Sequence, residues 1–422
     1  MKVLIREDGV SGGEIKAPPS KSYSHRALFV AALSSEASKI HYPLMSKDIK
    51  SSIRGLRVLG AKFDIKEDLV KVKGFGNNPQ VPNNVIDLGN SGTSLRFLIG
   101  ISSLLDKGAC VLTGDESLRD RPNQILLDAI NSLGANSFST KEDGTPPIVV
   151  KGRIKGGKVE IKADVSSQFI SSLLLTLPKC EKDSKITPTT QIKSEPYTNM
   201  TINVLREADI EILDRYKIPG NQTYKALDYE VPGDFSSSSN ILVLGALSAP
   251  TEVSNLDLES EQADYKILKI LENAGAKVKK QTEKIRVEKR ELRPFSIDLS
   301  NNPDLFPILS VLGSFIEGKV VLKNISHIRY KETDRVSVMK KELNKMGIDV
   351  EVRDEDFIIN DSNPKGTYLD GHNDHRIVMA LTIAALNANG ESKITDGESV
   401  MVSYPNFFEH IQELGGEIQF ME

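Results

Sequence analysis

Asp304, Glu332, Asp374, His375 and Lys21 are side chains whose types and settings in this 422-residue chain suit proton transfer. Asp304 follows Asn-Asn-Pro and precedes an apolar run. Glu332 stands between Lys331 and Arg335, and Asp374 opens a second apolar run with His375 and Arg376. Cations gather in the same places or at similar starts elsewhere: Lys21, Arg26, Arg96, Arg119, Arg121, Arg329, Lys331, Arg335 and Arg376. Each has a plain alternative. Asp304 and His375 could be helix caps, Glu332 a surface ion pair, and the KETDR run a solvated helix face. The total is what counts. Several guanidinium groups, which match phosphate and carboxylate bidentately, imply at least two bound anionic groups. Carboxylates among those cations imply a positive cleft in which shifted pKa values serve proton transfer. The sequence contains no Ser-His-Asp pattern, no P-loop and no HExxH, and the GNSG loop lacks the setting of a GxGxxG fingerprint.

The elements that must hold these groups repeat. Residues 88–97 read LGNSGTSLRF: two glycines allow close backbone approach to a ligand, and Ser91, Thr93 and Ser94 are capping types. The apolar run over 95–105 predicts a buried helix whose N-terminus suits an anion, with Arg96 adding a fixed charge. The same polar start and apolar helix recur at 19–33, 164–177, 232–247, 301–315 and 371–386, where the serines at 236–239 read as a cap. A second element alternates with the first. It is an amphipathic helix closed by a glycine suited to a left-handed cap, then a hairpin. Its copies align at Gly60, Gly134, Asp209, Gly275, Gly347 and Gly415, a period of about 70 residues, with Asp209 breaking the glycine rule. Six units, three to a domain, make an α/β protein. With crossovers at 18–21 and 231–234, residues 21–232 form one domain, and 1–20 join 233–422 to form the other.

A net charge of −4 and the lack of a basic tract argue against nucleic-acid binding and make any anion site a local cluster. The two cysteines, Cys110 and Cys180, fit neither a zinc ribbon nor a disulfide framework. With no secretory-type start and no run long enough to cross a bilayer, a cytoplasmic protein without membrane partners is expected.

The motifs PSKSYSHRAL, LGNSGTSLRF, DRP, DVSSQF, SEPY, PGDFSSSS, NNPD, KETDR, NDHR and SYPNFF, in that order from end to end, resemble the EPSP synthase family. The resemblance implies a two-domain inside-out α/β barrel, each domain built of three βαβαββ-like units, with helix starts facing an active site in the cleft between domains. It implies transfer of enolpyruvyl from phosphoenolpyruvate to the 5-hydroxyl of shikimate 3-phosphate, through a tetrahedral intermediate, without metal or organic cofactor. Such enzymes serve the shikimate pathway towards chorismate and aromatic amino acids, and a monomer is expected. Carried over by motif, Asp304, Glu332 and Lys21 would be catalytic. Lys21, Ser22, Arg26, Ser166, Ser167, Gln168, Ser194, Tyr197, Asp304, His327 and Lys331 would bind shikimate 3-phosphate. Lys21, Asn90, Gly92, Arg121, Gln168, Arg335 and Arg376 would bind phosphoenolpyruvate.

Two positions depart from better-known members. His327 stands where many have Asn, and its ring can also donate to a hydroxyl. Val402 stands where many have Lys, so one phosphoenolpyruvate contact is missing or supplied elsewhere, which bears on glyphosate sensitivity. The sister enzyme acting on UDP-N-acetylglucosamine commonly carries a loop cysteine near the position of 117–123, and this chain has none there. A non-catalytic anion-binding protein of the same fold predicts binding without turnover, against which stand Lys21, Asp304 and Glu332.

Overall fold

The computed structural model describes residues 1–7 and 10–421. The chain forms two compact units, one of Pro19–Val231 and one joining Met1–Pro18 to Pro232–Glu422.

The first unit carries α1 (Lys21–Leu33), α2 (Lys47–Val58), α3 (Gly92–Ser102), α4 (Gln124–Ser132), α5 (Ser167–Thr176) and α6 (Glu195–Glu207). The second carries α7 (Phe235–Leu247), α8 (Ile267–Asn273), α9 (Phe306–Gly313), α10 (Arg335–Lys345), α11 (His375–Asn387) and α12 (Phe407–Glu413). Odd-numbered helices are the apolar ones, and every residue of α7 and α9 is buried. Even-numbered helices bury one face only, as α2 does with Ile49, Ile53 and Leu56.

Helices α3 and α5 lie so close that a Cβ on Gly100 would come within 2.4 Å of Ser172 Oγ. Phe97 of α3 is fully buried and meets Phe29 of α1 edge to face at 5.2 Å. Truncating such a ring costs about 3–5 kcal/mol.

Among the described residues, five of the six sheets have four strands in one pattern: a parallel pair, then two antiparallel steps. In the first unit, the strand Asp228–Glu230 runs parallel to Ala37–His41, so the end of the unit completes its first sheet. The N-terminal segment enters two sheets of the second unit, once as the parallel edge strand and once as an inner antiparallel strand. Gly13–Lys16 pairs parallel with Thr251–Ser254, and Lys2–Ile5 lies between Ser392–Ile394 and Ile418–Met421. Backbone hydrogen bonding therefore ties the first residues to the C-terminal half.

Three local expectations are corrected. Helix α3 starts at Gly92 and ends at Ser102, not 95–105, because Ser91 caps it by accepting from the Ser94 N–H. Asp234 caps α7, so the serines at 236–239 form its first turns, with Ser239 Oγ bonding back to Ser236 O at 2.6 Å. After α6 the hairpin shrinks to Lys217–Ile218 on the strand Ser184–Pro188, leaving a three-stranded sheet. Asp209 nonetheless adopts φ +61°, the left-handed conformation that Gly60, Gly134, Gly275, Gly347 and Gly415 take in the other copies. Asp tolerates that region better than most side chains, so the cap survives the substitution. Among the described residues no helix is long and apolar enough to cross a membrane.

Candidate functional site

In the first unit, the starts of α1, α3, α5 and α6 present polar side chains. Ser20 caps α1, which makes Lys21 its first residue, and Lys21 Nζ lies 3.2 Å from Asp48 Oδ2 on α2. Arg26, one turn on, is 2 % exposed. It donates from Nε to Thr201 Oγ1 (2.8 Å), from Nη1 to Ser22 O (2.9 Å) and from Nη2 to Tyr197 O (2.7 Å). Burial pushes its pKa down to about 10. Arg26 thus ties α1 to α6, and through Ser22 and Tyr197 it fixes two expected ligand residues. Ser194 enters α6 at φ +59°.

The loop before α3 is held by Arg121. Its Nη2 donates to Asn90 Oδ1 at 2.5 Å, while Asn90 Nδ2 donates to Asp115 Oδ2 at 3.0 Å. A Cβ on Gly92 would meet Arg121 Nη1 at 2.8 Å, so glycine is what lets the guanidinium lie over the helix start.

Ser166 caps α5, its Oγ accepting from the Gln168 N–H, and Ser167 is the first residue of the helix. The Gln168 amide bridges α3 and α5. Its Oε1 accepts from Arg96 Nη1 at 2.7 Å and its Nε2 donates to Thr93 Oγ1 at 2.9 Å. Arg96 is taken up by neighbours within the unit: it lies 5.1 Å from the Phe169 ring centroid and also reaches Asn123 and Ser166.

The second unit gathers the charged residues. Asp334 caps α10, accepting from the Ser337 N–H, which places Arg335 first in the helix, fully buried. The KETDR run is therefore not a solvated face. Arg335 donates from Nε to Asp374 Oδ2 (2.7 Å), from Nη2 to Asp374 Oδ1 (3.1 Å) and Glu332 Oε2 (2.7 Å), and from Nη1 to Asp304 Oδ1 (3.0 Å). Asp304, in the short turn Pro303–Leu305, also lies 3.3 Å from Arg376 Nη2 and 3.5 Å from Lys331 Nζ. Asp374 caps α11 and so aims Arg376.

Three cations face three carboxylates here, and the cluster is balanced rather than positive. Burial opposes the Asp304 charge, but Arg376, Lys331 and Arg335 outweigh it and hold the carboxyl far below its usual range. Burial pulls the Lys331 ammonium down, with Asp304 opposing. Burial, then the Asp304 charge, pushes the neighbouring Asp264 up to about 6; its Oδ2 accepts from Ser236 Oγ at 2.5 Å.

His327 lies buried in the turn Ser326–Tyr330, and Val402 ends the turn Gly397–Val402, half-buried and without charge. Motif reading missed Asp48 and Asp264. Nothing in their spacing marks them, because the fold alone brings them to Lys21 and Ser236. Among the described residues no three His, Cys, Asp or Glu side chains are arranged to hold a metal ion.

The fold is that of an α/β protein of repeated units, and its guanidinium–carboxylate cluster is of a kind that can hold anionic groups and move protons. The comparisons narrow the class. The sequence pattern of EPSP synthase (3-phosphoshikimate 1-carboxyvinyltransferase) matches residues 7–411. A 3-phosphoshikimate 1-carboxyvinyltransferase of Methanococcus vannielii is 42% identical over 99% of both chains, and one of Methanococcoides burtonii is 43% identical over 100% of both. The solved EPSP synthase of Acinetobacter baumannii is 25% identical and superposes with a TM-score of 0.84 over 100% of both chains. The chain belongs to the EPSP synthase family.

Proposed function

We propose that this chain transfers the enolpyruvyl group of phosphoenolpyruvate to the 5-hydroxyl of shikimate 3-phosphate, releasing phosphate, as a cytoplasmic monomer of the shikimate pathway. Family membership supports the reaction. The observation that carries it on to residues is the grip of Arg335, Arg376 and Lys331 on Asp304.

In this reading phosphoenolpyruvate engages Arg335 and Arg376, with Arg121, Asn90, Gly92, Gln168 and Lys21 completing its site. Ser22, Arg26, Ser166, Ser167, Gln168, Ser194, Tyr197, His327 and Lys331 hold shikimate 3-phosphate with Lys21 and Asp304. The 5-oxygen attacks C2 of phosphoenolpyruvate while its proton passes to Asp304. C3 takes a proton from Glu332 or Lys21 and becomes a methyl group. The tetrahedral intermediate then loses phosphate from C2 as Glu332 removes a C3 proton, which restores the methylene. These steps call for proton transfer and anion stabilisation, and no cofactor is assigned to them.

The test is phosphate release from phosphoenolpyruvate with shikimate 3-phosphate and, in parallel, with UDP-N-acetylglucosamine. Release with the first acceptor alone is expected. Release with the second alone overturns the acceptor, and release with neither leaves an anion-binding protein.

A further inference from the structure

Arg376 is three residues past a backbone segment held in an unusual shape. His372 and Asn373 lie at φ +51° and +52°, the left-handed region that side chains other than glycine seldom enter. Two consecutive residues stay there only where surrounding contacts over-determine them. The contacts come from α10. Arg335, its first residue, grips Asp374 on one side of the pair. Glu342 is two turns further along α10, on the same face. It grips the other side: its Oε2 accepts from the Asp370 N–H at 3.0 Å and its Oε1 accepts from His372 Nε2 at 3.1 Å.

Glu342 is fully buried, which is costly for a carboxylate unless it is paired. Lys345 Nζ donates to its Oε2 at 2.6 Å, and Lys341 Nζ lies 3.8 Å from its Oε1. Burial works against its charge, but His372, Lys345 and the Asp370 N–H hold its pKa below the ordinary value. The other acidic group facing His372 is Asp370, at 3.9 Å. The segment is tied on its far side as well, where the Gly371 N–H donates to Thr395 Oγ1 and the Asn373 N–H to Asp396 Oδ2. Gly371 has no room for a Cβ, which would meet Thr395 O at 2.4 Å.

We propose that Glu342 and His372 form a latch that sets the position of Arg376, and so act as positioning residues for the anion that Arg376 binds. The latch touches no reacting atom. It fixes the 370–374 segment at two points of one helix, so that Arg335 and Arg376 keep a constant spacing across a bidentate ligand. The inference rests on the reading that Arg376 binds phosphoenolpyruvate.

The experiment compares Glu342→Gln, His372→Ala and His372→Gln with the wild-type chain. It reads Michaelis constants for each substrate, the phosphoenolpyruvate dissociation constant by calorimetry, and the thermal midpoint. Glu342→Gln and His372→Ala are expected to raise the phosphoenolpyruvate Michaelis and dissociation constants about tenfold, with the shikimate 3-phosphate constant within about twofold. His372→Gln keeps a donor towards Glu342 and is expected to recover most of the loss. A lowered thermal midpoint with unchanged phosphoenolpyruvate constants, or equal shifts for both substrates, overturns the latch. Absence of turnover in the wild-type chain overturns the proposed reaction instead, and the calorimetric constant still decides the latch.

Discussion

Asp304 and Arg335 meet at 3.0 Å through Oδ1 and Nη1, one of three cation contacts that make the proposed base a weak one before any ligand arrives. Arg376 and then Lys331 pull harder on the same carboxylate, and the fully enclosed Arg335 side chain adds to them. A carboxylate held so far below its usual range takes up a proton poorly. An anion that engages Arg335 and Arg376 draws them away from Asp304 and raises its basicity. In the proposed mechanism substrate binding and base activation are one electrostatic event.

Asp304→Asn separates these roles. The amide cannot accept the hydroxyl proton, so turnover is expected to fall about 10²–10⁴-fold. The substitution also removes a negative charge from beside three cations, so phosphoenolpyruvate binding is expected to hold or tighten. Steady-state rates and calorimetry check both. Unchanged turnover removes Asp304 as the base, and lost affinity removes the counter-charge argument.

Asp264 gives a pH-dependent prediction. Its folded pKa, about 6, stands above the ordinary 3.8 because burial and then Asp304 disfavour its charge. The raised value means that its contribution to stability is full below about pH 4 and is lost as pH rises through about 6. Asp264→Asn imitates the protonated form. It is expected to be more stable than the wild-type chain by about 1–3 kcal/mol at pH 7.5, with no gain at pH 4. Thermal unfolding at both pH values decides it, and an equal shift at both would remove Asp264 as the titrating group.

Gly92→Ala tests the packing over α3. The added Cβ would sit 2.8 Å from Arg121 Nη1, the end of a side chain that can swing aside. Stability is therefore expected to change by less than about 1 kcal/mol. The displaced guanidinium is expected to raise the phosphoenolpyruvate Michaelis constant about tenfold. An unchanged constant would mean that Arg121 does not depend on Gly92.

The repeat was legible because it is written twice, once in cap-rich apolar runs and once in glycines that close amphipathic helices. Asp209 shows that the signal lies in the backbone conformation, with glycine only its usual bearer. The helix starts were less legible. Ser91 and Asp234 each compete with neighbouring serines for the capping role, and spacing does not rank them. Motifs gathered the charged residues but not their pairing. That Arg335 is enclosed by Asp304, Glu332 and Asp374 depends on bringing together three segments distant in sequence. Arg96 shows the limit most plainly. Its place in a helix start reads as a site cation, while Gln168 and Phe169, the residues that occupy it, lie on another helix.

Arg96 therefore serves as the last test. Its hydrogen bond to Gln168 Oε1 leaves the amide Nε2 pointing to Thr93, so the orientation of Gln168 depends on Arg96. Arg96→Met keeps apolar contact with Phe169 but removes the donor. It is expected to cost about 0.5–1.5 kcal/mol of stability, since it removes the donor to the half-buried Gln168 amide oxygen. Gln168 is assigned to both substrates, so both Michaelis constants are expected to rise. If Arg96 acts through Gln168, the Arg96→Met and Gln168→Ala effects on kcat/KM will not add. A double-mutant cycle is expected to show coupling of about 1–2 kcal/mol. Additive effects would mean that Arg96 influences the site by another route.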